Sequence, residues 1–91
     1  SHDEPEIIRR DDGSLLVDGQ CSFYEFLEYI DMECLYPEYD YNTISGLILH
    51  LLEHIPHTGE KISWHELEFE IVDMDGARID KILVYSKKHD K

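Results

Sequence analysis

His50, Leu51, Leu52, Glu53 and His54 spell H-x-x-E-H, the inverted zincin pattern. On a helix, positions 50 and 54 lie one turn apart, so both imidazoles could reach one Zn²⁺ with Glu53 beside them as base. His57 stands close enough in sequence to be a third ligand. The competing reading is the polar face of an amphipathic helix. A zincin also needs a downstream carboxylate ligand and a substrate cleft, which 91 residues scarcely provide. The chemistry assigned here is therefore metal binding by His50 and His54, of an adventitious kind, with no catalytic residue and no cofactor. Two carboxylate groups, Asp11, Asp12 and Asp18, and Asp73, Asp75 and Asp80, could ligate Mg²⁺ or Ca²⁺. Neither has EF-hand spacing, and turn aspartates usually bond their own backbone. Glycine-rich phosphate loops and a G-x-S-x-G elbow are absent from the sequence. Cys21, just ahead of a helix, could have its pKa lowered by the helix dipole, but no base is assigned to it.

The element that must carry the histidines is the stretch from Tyr41 to Thr58. Ile44, Leu47, Ile48, Leu51, Leu52 and Ile55 follow one apolar stripe of a helix over 43–55. Asn42 or Thr43 can cap it, and Pro56 and Gly59 are expected to stop it. Gly46, on the opposite side, suggests that a second helix crosses closely there. That helix is Phe23 to Ile30, capped by Ser22 with Glu25 completing a capping box, and apolar at Phe23, Phe26, Leu27 and Ile30. Between the helices, residues 31–41 hold three tyrosines and four carboxylates. They read either as an exposed aromatic–acidic recognition loop or as a crossover whose tyrosines pack their rings.

Strands flank this helical centre. Ile7 to Arg10 and Ser14 to Val17 are joined by Asp11-Asp12-Gly13, and Asp18-Gly19 turns the chain out of the second. After the helices come Lys61 to Trp64, His65 to Met74 and Ala77 to Tyr85. An Asp75-Gly76 turn would pair Phe69 with Ile82, Glu70 with Lys81, Val72 with Ile79 and Met74 with Ala77. In that register the apolar phase switches near the turn in both strands. Either a bulge resets the register, or the tip shows an apolar patch to another surface. The order ββααβββ implies an α+β fold: a five-stranded, mainly antiparallel sheet with two helices on one face. The expected core is Leu15, Val17, Phe26, Leu27, Ile44, Leu47, Ile48, Leu51, Phe69, Ile71, Ile82 and Val84. Residues 1–6 read as a linker, 7–86 as the domain and 87–91 as a polar tail.

Ninety-one residues suffice for one domain. The net charge of −13, from 21 acidic against 8 Lys+Arg residues, argues against nucleic acid and against anionic membrane surfaces. With 42% hydrophobic residues the chain is too apolar for disorder. Cys21 and Cys34 read as reduced thiols of a cytosolic compartment. An 18-residue apolar run and a signal peptide are both missing, so direct membrane insertion is not expected. A start at Ser-His rather than methionine reads as a piece of a longer protein.

Three segments, DEPEIIRRDDGSLLVDG, YNTISGLILHLLEHIPHTGE and FEIVDMDGARIDKILV, resemble the CorC/HlyC-type transporter-associated domain over about residues 3–85. The SLLVDG strand, the helix ending in IP with a glycine three on, and the closing M-D-G-x-R-I-D carry the resemblance. It implies a parent related to haemolysins and to magnesium and cobalt efflux proteins. Such a parent has a transmembrane domain and paired CBS modules, with this domain on the cytoplasmic side of the bacterial inner membrane. It further implies a fold similar to part of the PCMH-type FAD-binding domain, a role in modulating ion transport, and no catalytic motif. Contacts with the CBS modules and the transmembrane domain follow as expected partnerships, with a homodimer as a further one. The rival classes are a small divalent-metal-binding or sensing domain, using His50/His54 or the turn carboxylates, and a hydrolase.

Overall fold

The computed structural model describes residues 5–87. Most of the expected linker 1–6 and of the tail 87–91 lies outside those residues. Five strands form: β1 (Ile7–Arg9), β2 (Leu15–Asp18), β3 (Lys61–Trp64), β4 (Leu67–Asp75) and β5 (Arg78–Ser86). Alternation of side chains decides which face is buried. Leu15 and Val17 of β2, Phe69 and Ile71 of β4, and Ile82 and Val84 of β5 point inward. The strand order is β1-β2-β5-β4-β3 and every pairing is antiparallel, so the sheet is wholly rather than mainly antiparallel.

Helices α1 (Phe23–Tyr29) and α2 (Ile44–Leu52) cover that inward face. Phe23, Phe26 and Leu27 from α1, and Ile44, Leu47 and Ile48 from α2, join the sheet residues in one core. Neither helix is long enough to be stable alone, and their starts are stitched together. Ser22 and Thr43 form an antiparallel bridge. The Phe23 N–H donates to the Asn42 carbonyl and the Ile44 N–H to the Cys21 carbonyl, both at 3.0 Å. Ser22 Oγ accepts from the Glu25 N–H, and Thr43 Oγ1, not Asn42, caps α2 through the Gly46 N–H.

Four expectations need correction. The stop of α2 comes at Leu52, before Pro56, because Glu53 takes the left-handed conformation (φ 63°) and its N–H closes on the Leu49 carbonyl. The stripe therefore ends early: Leu51 and Leu52 are half-buried, and Ile55 is 60% exposed.

The close approach lies at Gly19, not Gly46. A Cβ on Gly46 would make only ordinary contacts with Thr43 and Tyr41, at 3.5 and 3.7 Å. A Cβ on Gly19 would collide with the Ile79 carbonyl.

The β4–β5 register differs by two from the expected one: Phe69 opposes Val84, Glu70 opposes Leu83, and Gly76-Ala77 forms the turn between Asp75 and Arg78. Gly76, at φ 64°, supplies the positive angle such a turn needs. Between Ile71 and Met74 the register slips and then recovers, through irregularities around Val72–Asp73 and Asp80. As a result Ile79 is buried while Val72 stays 40% exposed, and no four-residue apolar patch exists at the tip.

Finally, β4 begins at Leu67 rather than at His65, because His65, at φ 57°, and Glu66 form the turn out of β3. Neither glycine nor proline marks this turn in the sequence. Cys21, Phe23, Trp64 and Ile79 complete the core beyond the expected set.

Candidate functional site

The early end of α2 rearranges the histidines. His50 remains in its last turn, exposed, with its ring centroid 5.3 Å from that of Tyr41. His54 lies beyond the helix in the segment leading to β3. The helical i, i+4 pairing on which the zincin reading rests is therefore not formed. His54 instead turns to Glu60: Nε2 stands 2.6 Å from Oε2, while Nδ1 contacts the Leu52 carbonyl at 2.9 Å. His57 meets the same carboxylate, with Nδ1 3.2 Å from Oε1 and its backbone N–H donating to Oε1 at 3.2 Å.

Glu60 is held from both sides. Its N–H donates to the His57 carbonyl, its carbonyl accepts from the Ile71 N–H, and the Gly59 N–H donates to the Ile71 carbonyl. The turn at 57–60 is thereby clamped onto β4. Gly59 adopts φ 96°, so the turn depends on glycine there. Burial pushes the Glu60 carboxyl up, but hydrogen bonds from His54 and from the His57 backbone, with the charges of both rings, leave it below the ordinary carboxylate value. Glu60 carries the arrangement and was not among the residues expected from the sequence. The H-x-x-H-x-x-E spacing of residues 54, 57 and 60 was the available signal.

Three of the six turn aspartates, Asp12, Asp18 and Asp75, bond within their own loops. Asp12 accepts from both the N–H and the hydroxyl of Ser14, which holds its carboxyl below the usual value. Asp18 accepts from the Gln20 N–H, and Asp75 pairs with Arg78 at 3.0 Å. Cys21 is buried and Cys34 exposed, both as free thiols. Burial, reinforced by Glu6, pushes the Cys21 thiol up to about 12, opposite to the lowering expected from a helix start.

Residues 31–41 form a crossover with a short 3₁₀ turn, Glu33–Leu35. Its tyrosines pack their rings: Tyr36 on Phe23 and Tyr24, Tyr39 on Trp64 and His65, and Tyr41 on Phe23. A groove of about 300 Å³ at one end of the sheet is lined by Arg9, Leu15, Tyr29, Asp31 and Tyr85, among others. Among the described residues no helix is long and apolar enough to cross a membrane.

Comparison with known proteins places this geometry in context. The sequence profile CorC_HlyC, described as a transporter associated domain, matches residues 8–88. A UPF0053 protein of Synechocystis sp. is 46% identical over 83 residues, covering 89% of this chain and 18% of the relative. A polyamine export protein of Haemophilus influenzae is 33% identical over 84 residues, covering 92% and 19%. A UPF0053 inner membrane protein of Escherichia coli is 30% identical over 83 residues, covering 91% and 19%. The chain thus spans less than a fifth of these relatives. Among solved structures, the transporter associated domain of a Xylella fastidiosa hemolysin superposes with a TM-score of 0.80 at 35% identity, covering 93% of this chain and 99% of the other. A structure of the Xylella domain in complex with Mg⁺⁺ and Mn⁺⁺ superposes at 0.78 and 38% identity, covering 90% and 98%.

Proposed function

Because this chain belongs to the CorC_HlyC transporter-associated domain family, we propose that it is a non-enzymatic regulatory and interaction domain of a bacterial membrane ion transporter. The observation that carries this reading is the match across nearly the whole chain to a small fraction of much longer membrane proteins. A segment of that size, folded around its own core, suits a module attached to a transport machine. Its place is the cytoplasmic side of the inner membrane, against the parent's CBS modules and transmembrane domain, with a second copy of the domain as a further partner. The transported species is of the magnesium and cobalt efflux type. Polyamines are the second candidate, since the Haemophilus relative is named for their export.

The test is flux through the full-length parent in proteoliposomes, with and without residues 7–86, for Mg²⁺, Co²⁺ and a polyamine in turn. A regulatory domain changes the concentration dependence of flux while leaving transport itself in place. Identical flux curves with and without the domain would sink the regulatory reading.

The second reading is a small divalent-metal-binding or sensing domain, using His50 and His54 or the turn carboxylates. The Xylella domain's complex with Mg⁺⁺ and Mn⁺⁺ supports metal binding as a class. Calorimetry with the His50→Ala/His54→Ala double variant separates this reading from a metal-blind scaffold.

A further inference from the structure

A strand with one covered face alternates apolar and polar side chains, whereas a strand covered on both faces reads as an unbroken apolar run. β4 follows the first rule over residues 67–71, with Glu68 and Glu70 between Leu67, Phe69 and Ile71. β2 and β5 do not. Leu15-Leu16-Val17 and Ile82-Leu83-Val84-Tyr85 are continuous runs, although both helices pack on the same face of the sheet. Leu15, Val17, Ile82 and Val84 fill the core, so Leu16, Leu83 and Tyr85 point to the face without helices. The register lines them up: Ile8 opposes Leu16 and Leu16 opposes Leu83, one apolar row across β1, β2 and β5. Ile8, at the outer end of the row, is 45% exposed.

Acid borders this row on the β4 side. Glu70 opposes Leu83, and Glu68 opposes Tyr85. Lys61 opposes Glu70 on β3, but among the described residues no ion pair joins them. Glu68 accepts from Ser63 Oγ at 2.9 Å. A hollow of about 280 Å³ lies over this border, lined by Asp12, Ser14, Glu70, Leu83 and Tyr85. Asp12 is already bonded by Ser14 and lies in the field of Arg10, so Glu70 is the carboxylate left to a ligand.

We propose that this face seats an amphipathic segment of the parent protein from outside this chain, with an apolar stripe over Ile8, Leu16 and Leu83 and lysine or arginine side chains over Glu68 and Glu70. The hollow suits the stem of one such side chain, alkyl against Leu83 and Tyr85 and charge toward Glu70. The covering element must come from elsewhere, because residues 1–4 and 88–91 carry no apolar side chain and α1 and α2 are committed to the other face. A second copy meets the repulsion of two chains at −13 each. A segment of the same polypeptide needs less. Tethering supplies a high effective concentration, so a patch too small to hold a free partner can hold an attached one. Docking of this kind rests on the chain being a module of a longer parent; which face docks, and what chemistry it meets, are additional.

Carboxyl footprinting tests this. Carbodiimide with glycine amide labels accessible Asp and Glu, and peptide mass spectrometry reads the rate at each, in the 91-residue chain and in the detergent-solubilised full-length parent. Expected is labelling of Glu68 and Glu70 several-fold slower in the parent, with Glu25 and Glu28 on α1 labelled alike in both. Leu16→Asp in the parent should return Glu68 and Glu70 to the rate of the isolated chain. Thermal melting of that variant in the 91-residue form is the folding control, and Ile8→Asp, at a more exposed site on the edge strand, replaces it if it does not fold. In about 1 M NaCl, where the screening length falls to about 3 Å, the protection should weaken. Equal labelling of Glu68 and Glu70 in the two forms overturns the proposal, as does protection of Glu25 and Glu28 in their place. Protection that appears in the isolated chain and grows with its concentration gives the face to a second copy and overturns it too. Protection indifferent to salt or to the apolar-row variant does the same. Flux curves identical with and without the domain would remove regulation but leave this footprint intact, so the two failures are distinguishable.

Discussion

Gly19 is packed against the backbone of Ile79: its N–H donates to the Asp80 carbonyl at 2.9 Å, and the space for a Cβ is already taken by the Ile79 carbonyl. This contact carries the chain from the end of β2 toward α1 across the irregular part of β5. Gly19→Ala must push two backbones apart, and overpacking of this kind costs about 1–3 kcal/mol. Urea unfolding should show that loss, whereas Gly46→Ala, with room for a methyl and a helical position that favours alanine, should be neutral or mildly stabilising.

Val72 lies within the irregular segment of the hairpin and Ile79 at its edge, and of the two only Ile79 is buried. Ile79→Asp should unfold the domain, because it places an unpaired carboxylate in the core. Val72→Asp should fall within about 0.5 kcal/mol of the parent chain. Circular dichroism melts of the two variants distinguish this arrangement from a shared apolar patch, in which both would behave alike.

On α2 the gradient of burial runs toward the C-terminus. Leu47 is fully buried, and Leu47→Ala should cost about 2–5 kcal/mol. Leu51 is only half-buried, so Leu51→Ala should cost about half as much or less. Equal losses in chemical denaturation would mean that the stripe continues past the observed end of the helix.

Thr43 caps α2 through its hydroxyl at 3.1 Å from the Gly46 nitrogen. Thr43→Ala should destabilise by about 1 kcal/mol, and Thr43→Ser should restore most of it, since serine keeps the accepting oxygen. The two midpoints measured side by side check the assignment over Asn42.

The two thiols should differ sharply in reactivity. Cys34 is exposed and should label with a thiol reagent at mildly alkaline pH, while Cys21 should label only on unfolding. The folded Cys21 holds its proton up to about 12, against 9.0 for an ordinary thiol. Between those values the unfolded chain releases a proton that the folded chain keeps. This contribution to stability is therefore full below about 9 and is lost as the pH rises from there toward 12. Cys21→Ser should flatten that alkaline slope in denaturation curves measured across the window.

The sheet, both helices, their serine and threonine caps and most of the core follow from local signals. Alternation at Leu15–Val17 and Phe69–Ile71 and the 3–4 spacing of Ile44, Leu47 and Ile48 each need only a few neighbouring residues to be read. The three quoted segments likewise suffice to mark the family. What the sequence left open are places where distant backbones settle the outcome. Glu53 and His65 adopt left-handed angles that no glycine announces. The slip around Val72 and Asp80 lets β5 feed Ile79 into the core while still pairing with β4. The site followed the same division: H-x-x-E-H was visible as a pattern, but a helix ending at Leu52 turns His54 away from that pattern and toward Glu60. Glu60 is in position because Ile71, eleven residues later, bonds to its backbone. Periodicity records which side of an element is apolar; where the element stops, and which side chains then meet, depends on hydrogen bonds that form only once the sheet has closed.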